Sequence, residues 1–359
     1  MIAVTKPYLP NRERLNTYID EIYASGWLTN NGPLLQRLEC RLKKYLNVKH
    51  LILVANGSLA LQLAYKALDL KGDVITSPFS FAATSSTLAW EGLNPIFVDI
   101  DKQSLNIDPF KIKEKITPTT SAILPVHVFG NPCDVEEINI IARNHNLKVI
   151  YDAAHAFDVT LSDSNILNYG DISTLSFHAT KLFHSVEGGA VITNDDSIAK
   201  KIRSLMNFGI EGTDKINCIG TNAKLNEFEA AMGLSVLDEL ELIKAGRKQA
   251  WLKYNEQLKP IAKISWQSWH TQCSKNYSYL PIVFDTEATL LNCMSALNAQ
   301  GVFPRRYFHP SLDTIGYSKT TQVCEISRDI SSRILCLPLH ADLSNFNIDK
   351  ICSIIKENI

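Results

Sequence analysis

Four groups of residues in the first half of this chain could do chemistry together. Lys181 lies in a polar connection, His178 to Gly188, between the apolar runs Ile172-Ser173-Thr174-Leu175-Ser176-Phe177 and Gly189-Ala190-Val191-Ile192-Thr193. An amine among apolar neighbours loses solvation. Its pKa falls and its lone pair becomes available for Schiff-base chemistry. A surface lysine in a loop is the ordinary alternative. Asp152 ends the run Val149-Ile150-Tyr151, and His155 follows three residues later. A carboxylate at a strand end in an α/β protein points toward the crevice where ligands bind. Gly57-Ser58 follows the run Leu51-Ile52-Leu53-Val54-Ala55 and precedes a helical pattern. Strand, glycine turn and helix start make an anion site from free N–H groups and the positive end of the helix. The spacing is neither GxGxxG nor GxxxxGK, so nothing supports a dinucleotide or ATP site. Phe81 adds an aromatic face after the run Val74-Ile75-Thr76.

The elements that must hold these residues alternate. Short apolar runs at 51–55, 74–77, 95–100, 122–128, 149–152, 172–177 and 189–193 read as strands. Helical patterns lie between most of them, with Ser58 and Asp108-Pro109 placed as helix starts. Such alternation predicts a mostly parallel sheet covered by helices. Asn226 to about Leu258 reads as helical, with Gly246 marking a kink or hinge in its middle. The character changes after that point. The reading is a large α/β domain over 1–246 and a smaller α/β domain over 247–359, as a length of 359 residues suggests.

Composition excludes several classes. The formal net charge is -1 and no basic run is interleaved with aromatics, so no nucleic-acid partner is expected. The residues from Met1 to Pro7 hold no long apolar stretch, and no run approaches 18 apolar residues. A secretory leader and a membrane span are therefore not expected. The eight cysteines form no CxxC pair, which suits reduced thiols in the cytoplasm. His155, His178 and His184 lack tight ligand spacing, so no metal is expected.

Anion cradle, aromatic face, carboxylate and amine are what pyridoxal phosphate requires. Its phosphate suits a helix start, its aldehyde needs a lysine, and its pyridine nitrogen stays protonated beside a carboxylate. Any α/β protein of this size contains such residues, so on these grounds it is one reading among several.

A resemblance narrows the choice. The chain is similar to the sugar aminotransferases of the DegT/DnrJ/EryC1/StrS family. The motifs are Gly26-Trp27-Leu28-Thr29, Asn56-Gly57-Ser58, Ser77-Pro78-Phe79-Ser80-Phe81, Pro125-Val126-His127, Tyr151-Asp152-Ala153-Ala154-His155, Ser176-Phe177-His178-Ala179-Thr180-Lys181, Glu187-Gly188-Gly189 and Leu337-Pro338-Leu339-His340. The resemblance implies the three-layer α/β/α fold of aspartate aminotransferase-like (fold type I) enzymes, with a smaller C-terminal α/β domain. It implies catalytic roles for Lys181, Asp152 and His155: Lys181 bonds to the cofactor aldehyde, Asp152 pairs with the pyridine nitrogen, and His155 lies beside the ring. Phe81 would stack on the ring, while Gly57, Ser58 and Ser176 hold the phosphate. Asn222 would reach the phosphate of a neighbouring subunit, which places the site at a homodimer interface. Trp27, Thr29, Glu187, Tyr307 and His309 would serve the sugar-nucleotide side. Phe308 stands where relatives often carry tyrosine.

The implied reaction moves an amino group from L-glutamate to a dTDP-linked keto-deoxy sugar. The Ser-Phe-His-Ala-Thr-Lys form followed by Glu-Gly-Gly resembles enzymes acting at C4 of dTDP-4-dehydro-6-deoxyglucose. C3-aminating relatives more often show Tyr-Pro-Thr-Lys and Gly-Asp-Gly-Gly. The alternatives are that C3 reaction and a non-catalytic, cofactor-binding regulator.

Overall fold

A strand that is apolar on both faces must be covered on both sides. The central sheet of this protein satisfies that requirement residue by residue. The computed structural model describes residues 1–319 and 322–359. Seven strands make the sheet: β1 (His50–Val54), β2 (Asp73–Thr76), β3 (Asn94–Phe97), β4 (Thr120–Leu124), β5 (Lys148–Asp152), β6 (Ile172–Ser176) and β7 (Gly189–Thr193). Their spatial order is β1-β7-β6-β5-β4-β2-β3. Of these described strands β7 alone runs antiparallel, between β1 and β6. The remaining pairs are parallel.

Alternate side chains enter two cores. Leu51, Leu53, Ile75, Ile123, Val149, Tyr151, Leu175 and Ile192 face one side. There they meet α1 (Arg12–Ser25), α2 (Pro33–Tyr45), α5 (Val135–His145) and α7 (Glu227–Asp238). Ile52, Val54, Val74, Leu124, Ile150, Ile172 and Val191 face the other, under α3 (Gly57–Ala67), α4 (Ala82–Trp90) and α6 (Asp196–Leu205). This is the three-layer α/β/α arrangement.

A third core lies in the C-terminal part, around the antiparallel strands β8 (Ile264–Ser265), β9 (Pro281–Phe284) and β10 (Ile334–Cys336). Helices α9 (Glu287–Ala299) and α11 (Asn345–Glu357) cover it through Leu290, Leu297, Ile351 and Ile355. Helix α10 (Glu325–Arg333) contributes Ile330 to a seam that also holds Phe79, Phe129, Val283 and Phe308. The seam joins residues of the sheet's loops to the C-terminal strands. The N-terminus crosses over as well, since Ile2–Ala3 pairs in parallel with Val302–Phe303.

The segment from Asn226 to Leu258 is two helices, not one. Helix α7 ends at Asp238 and α8 runs over Leu240–Leu258, with Glu239 between them at φ -113° and ψ 10°. Both halves bury apolar residues, so the hydrophobic pattern runs through the break unchanged. At Gly246 the expected kink is absent, and α8 continues through it. Its first turns pack Leu240 and Ile243 into the large core, and its last turns pack Ala250, Tyr254 and Leu258 into the C-terminal core. Gly246 serves close approach: a Cβ there would stand 2.2 Å from the carbonyl oxygen of Ala341.

No helix among the described residues is long and apolar enough to cross a membrane. Among the same residues, no group of three or more His, Cys, Asp or Glu could hold a metal ion.

Helix propensity alone would make Gly246→Ala stabilising by about 1 kcal/mol. The clash with backbone outweighs that gain, because overpacking costs roughly 1–3 kcal/mol. Gly246→Ala is expected to lower the denaturation midpoint. The control Gly316→Ala, where a Cβ meets nothing within 4 Å, leaves it unchanged.

Candidate active site

The parallel strands deliver the chemistry-bearing residues to one edge. Gly57 and Ser58 follow β1, Phe81 follows β2, Asp152 ends β5, and Ser176 ends β6 with Lys181 in the loop beyond. These residues line one cavity of about 320 Å³, with His155, His178 and Glu187. Thr5, Tyr279, Arg305, Tyr307 and Phe308 close it from the N-terminal segment and the C-terminal part.

Asp152 is 7% exposed. One carboxylate oxygen accepts from Thr84 Oγ1 at 2.7 Å, and the other from the Ala154 N–H at 3.2 Å. Thr84 donates its only proton to Asp152, so the hydroxyl of Ser80, 2.7 Å from Thr84 Oγ1, must donate to Thr84. The result is a relay of hydroxyls that fixes the carboxylate. Burial raises the Asp152 pKa, while Thr84, Ala154 and the charge of Lys181 oppose the rise.

Lys181 shows the reverse balance. Burial lowers its pKa, and the opposite charge of Asp152 resists. Its Nζ donates to the Tyr279 hydroxyl at 3.2 Å. The loop that carries it is pinned by bonds from the Lys181 N–H to the His178 carbonyl and from the Phe177 N–H to the Gly188 carbonyl.

His155 belongs to a cluster of three near-parallel rings, 6.1 Å from Phe129 and 5.6 Å from Phe308, with interplanar angles of 8° and 3°, and those two rings are 5.5 Å from each other. Its Nδ1 accepts the Phe129 N–H at 3.2 Å. A backbone N–H can only donate, so Nδ1 is bare and the proton sits on Nε2. Burial, then the charge of Lys181, holds the ring well below its ordinary pKa and therefore neutral.

The anion cradle is geometric. Asn56 caps α3 by accepting the Leu59 N–H at 2.9 Å. The first-turn N–H groups of Gly57 and Ser58 have no acceptor within the helix. A Cβ on Gly57 would stand 2.9 Å from Ser176 Cβ, so only glycine lets the helix start close on Ser176. Phe81 is 53% exposed and borders the same cavity. A phosphate at α3, a flat ring against Phe81 and beside His155, a charged ring nitrogen at Asp152 and an aldehyde at Lys181 all find a matching group here. The donor set fits pyridoxal phosphate.

At the mouth, His178 Nε2 lies 3.7 Å from a Glu187 carboxylate oxygen. The Arg305 guanidinium sits 4.5 Å over the Tyr307 ring. Among the described residues no carboxylate pairs with it, which leaves a positive charge at the cavity for an anionic guest.

The structure therefore brings together Lys181, Asp152, His155, Gly57, Ser58, Phe81, Ser176, Glu187 and Tyr307. Trp27, Thr29, Asn222 and His309 stand outside the lining of their own chain's cavity. Asn222 bridges to Asn207 near a second groove that includes Lys224, Arg203 and Asn31. Trp27 packs over Gly32, in the loop leading to α2, whose first N–H groups, Leu34 and Leu35, donate to the buried Glu227 carboxylate at 2.8 Å each. Sequence reasoning missed Thr84, Tyr279, Arg305 and Phe129. Thr84 had one faint signal, a Ser80–Thr84 spacing of four at the start of a helix.

Comparison with known proteins gives concordant findings. A sequence model of the DegT/DnrJ/EryC1/StrS aminotransferase family matches residues 10–356. The chain is 45% identical over 361 residues to a dTDP-4-amino-4,6-dideoxy-D-glucose transaminase of Shigella dysenteriae, covering 99% of this chain and 98% of that one. It is 38% identical over 362 residues to the Escherichia coli transaminase of the same name, with the same coverage. Among solved structures, DesI in the presence of its TDP-sugar product superposes with a TM-score of 0.94 at 32% identity, over 99% of this chain and 92% of that one. NtdA of Bacillus subtilis, with bound cofactor PMP, superposes with a TM-score of 0.88 at 29% identity, over 99% and 85% of the two chains.

Thr84→Val keeps the shape of the side chain and removes the donor to Asp152. A hydrogen bond to a charged group is worth about 1.5–3 kcal/mol. The expected result is cofactor affinity weakened roughly tenfold or more, read by titrating the cofactor-free protein with pyridoxal phosphate. The loss should deepen as pH falls, because the valine variant's carboxylate is protonated at higher pH than that of the wild type.

Proposed function

Because this chain belongs to the DegT/DnrJ/EryC1/StrS aminotransferase family, we infer that it is a pyridoxal-phosphate enzyme that aminates C4 of a dTDP-linked 4-keto-6-deoxyhexose. The acceptor is dTDP-4-dehydro-6-deoxy-D-glucose, the donor is L-glutamate, and the product is dTDP-4-amino-4,6-dideoxy-D-glucose. The observation that carries the reaction class is the meeting of Lys181, Asp152 and the start of α3 in one cavity. The choice of sugar and carbon is supported by the two full-length relatives named for that product.

Bound pyridoxal phosphate supplies an electrophilic carbon and an electron sink; the chain's residues do the rest. The N–H groups of Gly57 and Ser58 and the hydroxyl of Ser176 would hold the phosphate. Phe81 would cover one ring face, with His155 beside the ring. Asp152, its carboxylate held by Thr84 and Ala154, would keep the ring nitrogen protonated. Lys181 has the proton-transfer role. Burial lowers its pKa, so it can give up a proton and act as a base at the donor's Cα, then return the proton as an acid. Arg305 would receive negative charge from the substrates.

The homodimer, and the sugar-side roles of Trp27, Thr29, Glu187, Tyr307 and His309, belong to the same proposal. Asn222 would complete the phosphate site of a second copy. Its neighbourhood supports a contact of that kind: the hairpin Ile210–Glu211 with Lys215–Ile216 leaves Ile216 73% exposed and Ile219 95% exposed. Apolar side chains so presented suit burial against another surface.

A two-step experiment tests the reading. Glutamate should bleach the visible band of the cofactor-loaded protein, and dTDP-4-dehydro-6-deoxy-D-glucose should restore it. In Lys181→Ala the band and the response should vanish. Restoration by the 3-keto isomer alone would move the reaction to C3, and no response to any amine donor would reduce the protein to a cofactor-binding role.

A further inference from the structure

Lys181 must be free of the cofactor whenever it moves a proton. Its Nζ is 3.2 Å from the hydroxyl of Tyr279, which reaches it from 98 residues further along the chain. Tyr279 immediately precedes Leu280 and strand β9, in the part of the chain that closes the cavity. Its ring lies 4.6 Å from His155 and 5.4 Å from Phe129, centroid to centroid. Arg247 on α8 holds the preceding backbone: its guanidinium, 3% exposed, donates to the Ser278 carbonyl at 3.2 Å. The hydroxyl is thus supported on its ring face and along its backbone, and it presents an oxygen to a single amine.

We propose that Tyr279 is a catalytic residue, whose hydroxyl receives the released Lys181 amine and holds it in position for proton transfer. The proposal rests on the aminotransferase reading above. The phenol oxygen accepts an N–H of the amine and leaves the nitrogen lone pair free to point at the substrate carbon. No bond is made or broken at Tyr279, which is neutral throughout because burial pushes its phenol well up. The other charged or titratable groups around Tyr279 and Lys181 are Asp152 from β5, His155 beyond it, His178 and Glu187 from the Lys181 loop, Arg247 from α8, Cys336 from β10, and Arg305 and Tyr307 from the C-terminal loop. Asp152 and Tyr307 also favour the charged amine, so the contribution of Tyr279 is measured by difference.

The test uses Tyr279→Phe, which keeps the ring and its aromatic contacts and deletes only the oxygen. The first readout needs no cofactor. Lysines of the cofactor-free protein are labelled with trace acetic anhydride across a pH series, and Lys181 is followed by peptide mass spectrometry. Losing an acceptor destabilises a buried ammonium, so the midpoint for Lys181 is expected to move to lower pH in the variant. The second readout is the glutamate half-reaction, expected to slow roughly ten- to a hundredfold through misplacement of the base. Tyr277→Phe, on the outer side against Trp251, should change neither. An unchanged Lys181 midpoint or an unchanged half-reaction overturns the assignment. A wild-type protein that forms no visible band with pyridoxal phosphate sinks the underlying reading instead, so the two failures are distinct.

Discussion

The site depends on a carboxylate and an amine taken out of water in one cavity. Asp152 closes β5, and Lys181 follows β6, the strand paired to it with Asp152 opposite Thr174. Burial works against the charge of each. The carboxylate is pushed up and the amine is pushed down, and each group opposes the shift of the other. The cavity keeps the carboxylate and the amine together because the sheet fixes both at one edge, with a core on each face.

Much of this layout is legible in the sequence. Apolar runs of strand length are punctuated by Gly57-Ser58, Asp152 and Lys181. Chain order places those punctuations after β1, β5 and β6, and parallel strands must then deliver them to the same edge. The helix break at Glu239 is not legible, since apolar residues recur on both sides of it. Gly246 misleads for a different reason. Glycine in a helical pattern signals either flexibility or close contact, and only the position of Ala341 decides between them.

The supporting residues are hidden for a physical reason. Thr84 and Asp152 are 68 residues apart, and Tyr279 and Lys181 are 98 apart. No periodicity connects such pairs; they meet because α4 and the segment before β9 pack over the strand ends. The aromatic wall is similar. Phe79, Phe129, His155, Tyr279 and Phe308 come from five separate segments, yet they form one seam that turns His155 into a neutral, fixed ring. Phe308 fits this seam as a stacking ring.

The most direct test of the account is the identity of the lysine that bonds to the cofactor. The loaded protein would be reduced with borohydride, digested, and its peptides weighed. The account predicts the cofactor's added mass on the peptide that contains Lys181, with none elsewhere. The same mass on a different lysine, or on no peptide at all, would contradict the assignment of this cavity as the active site.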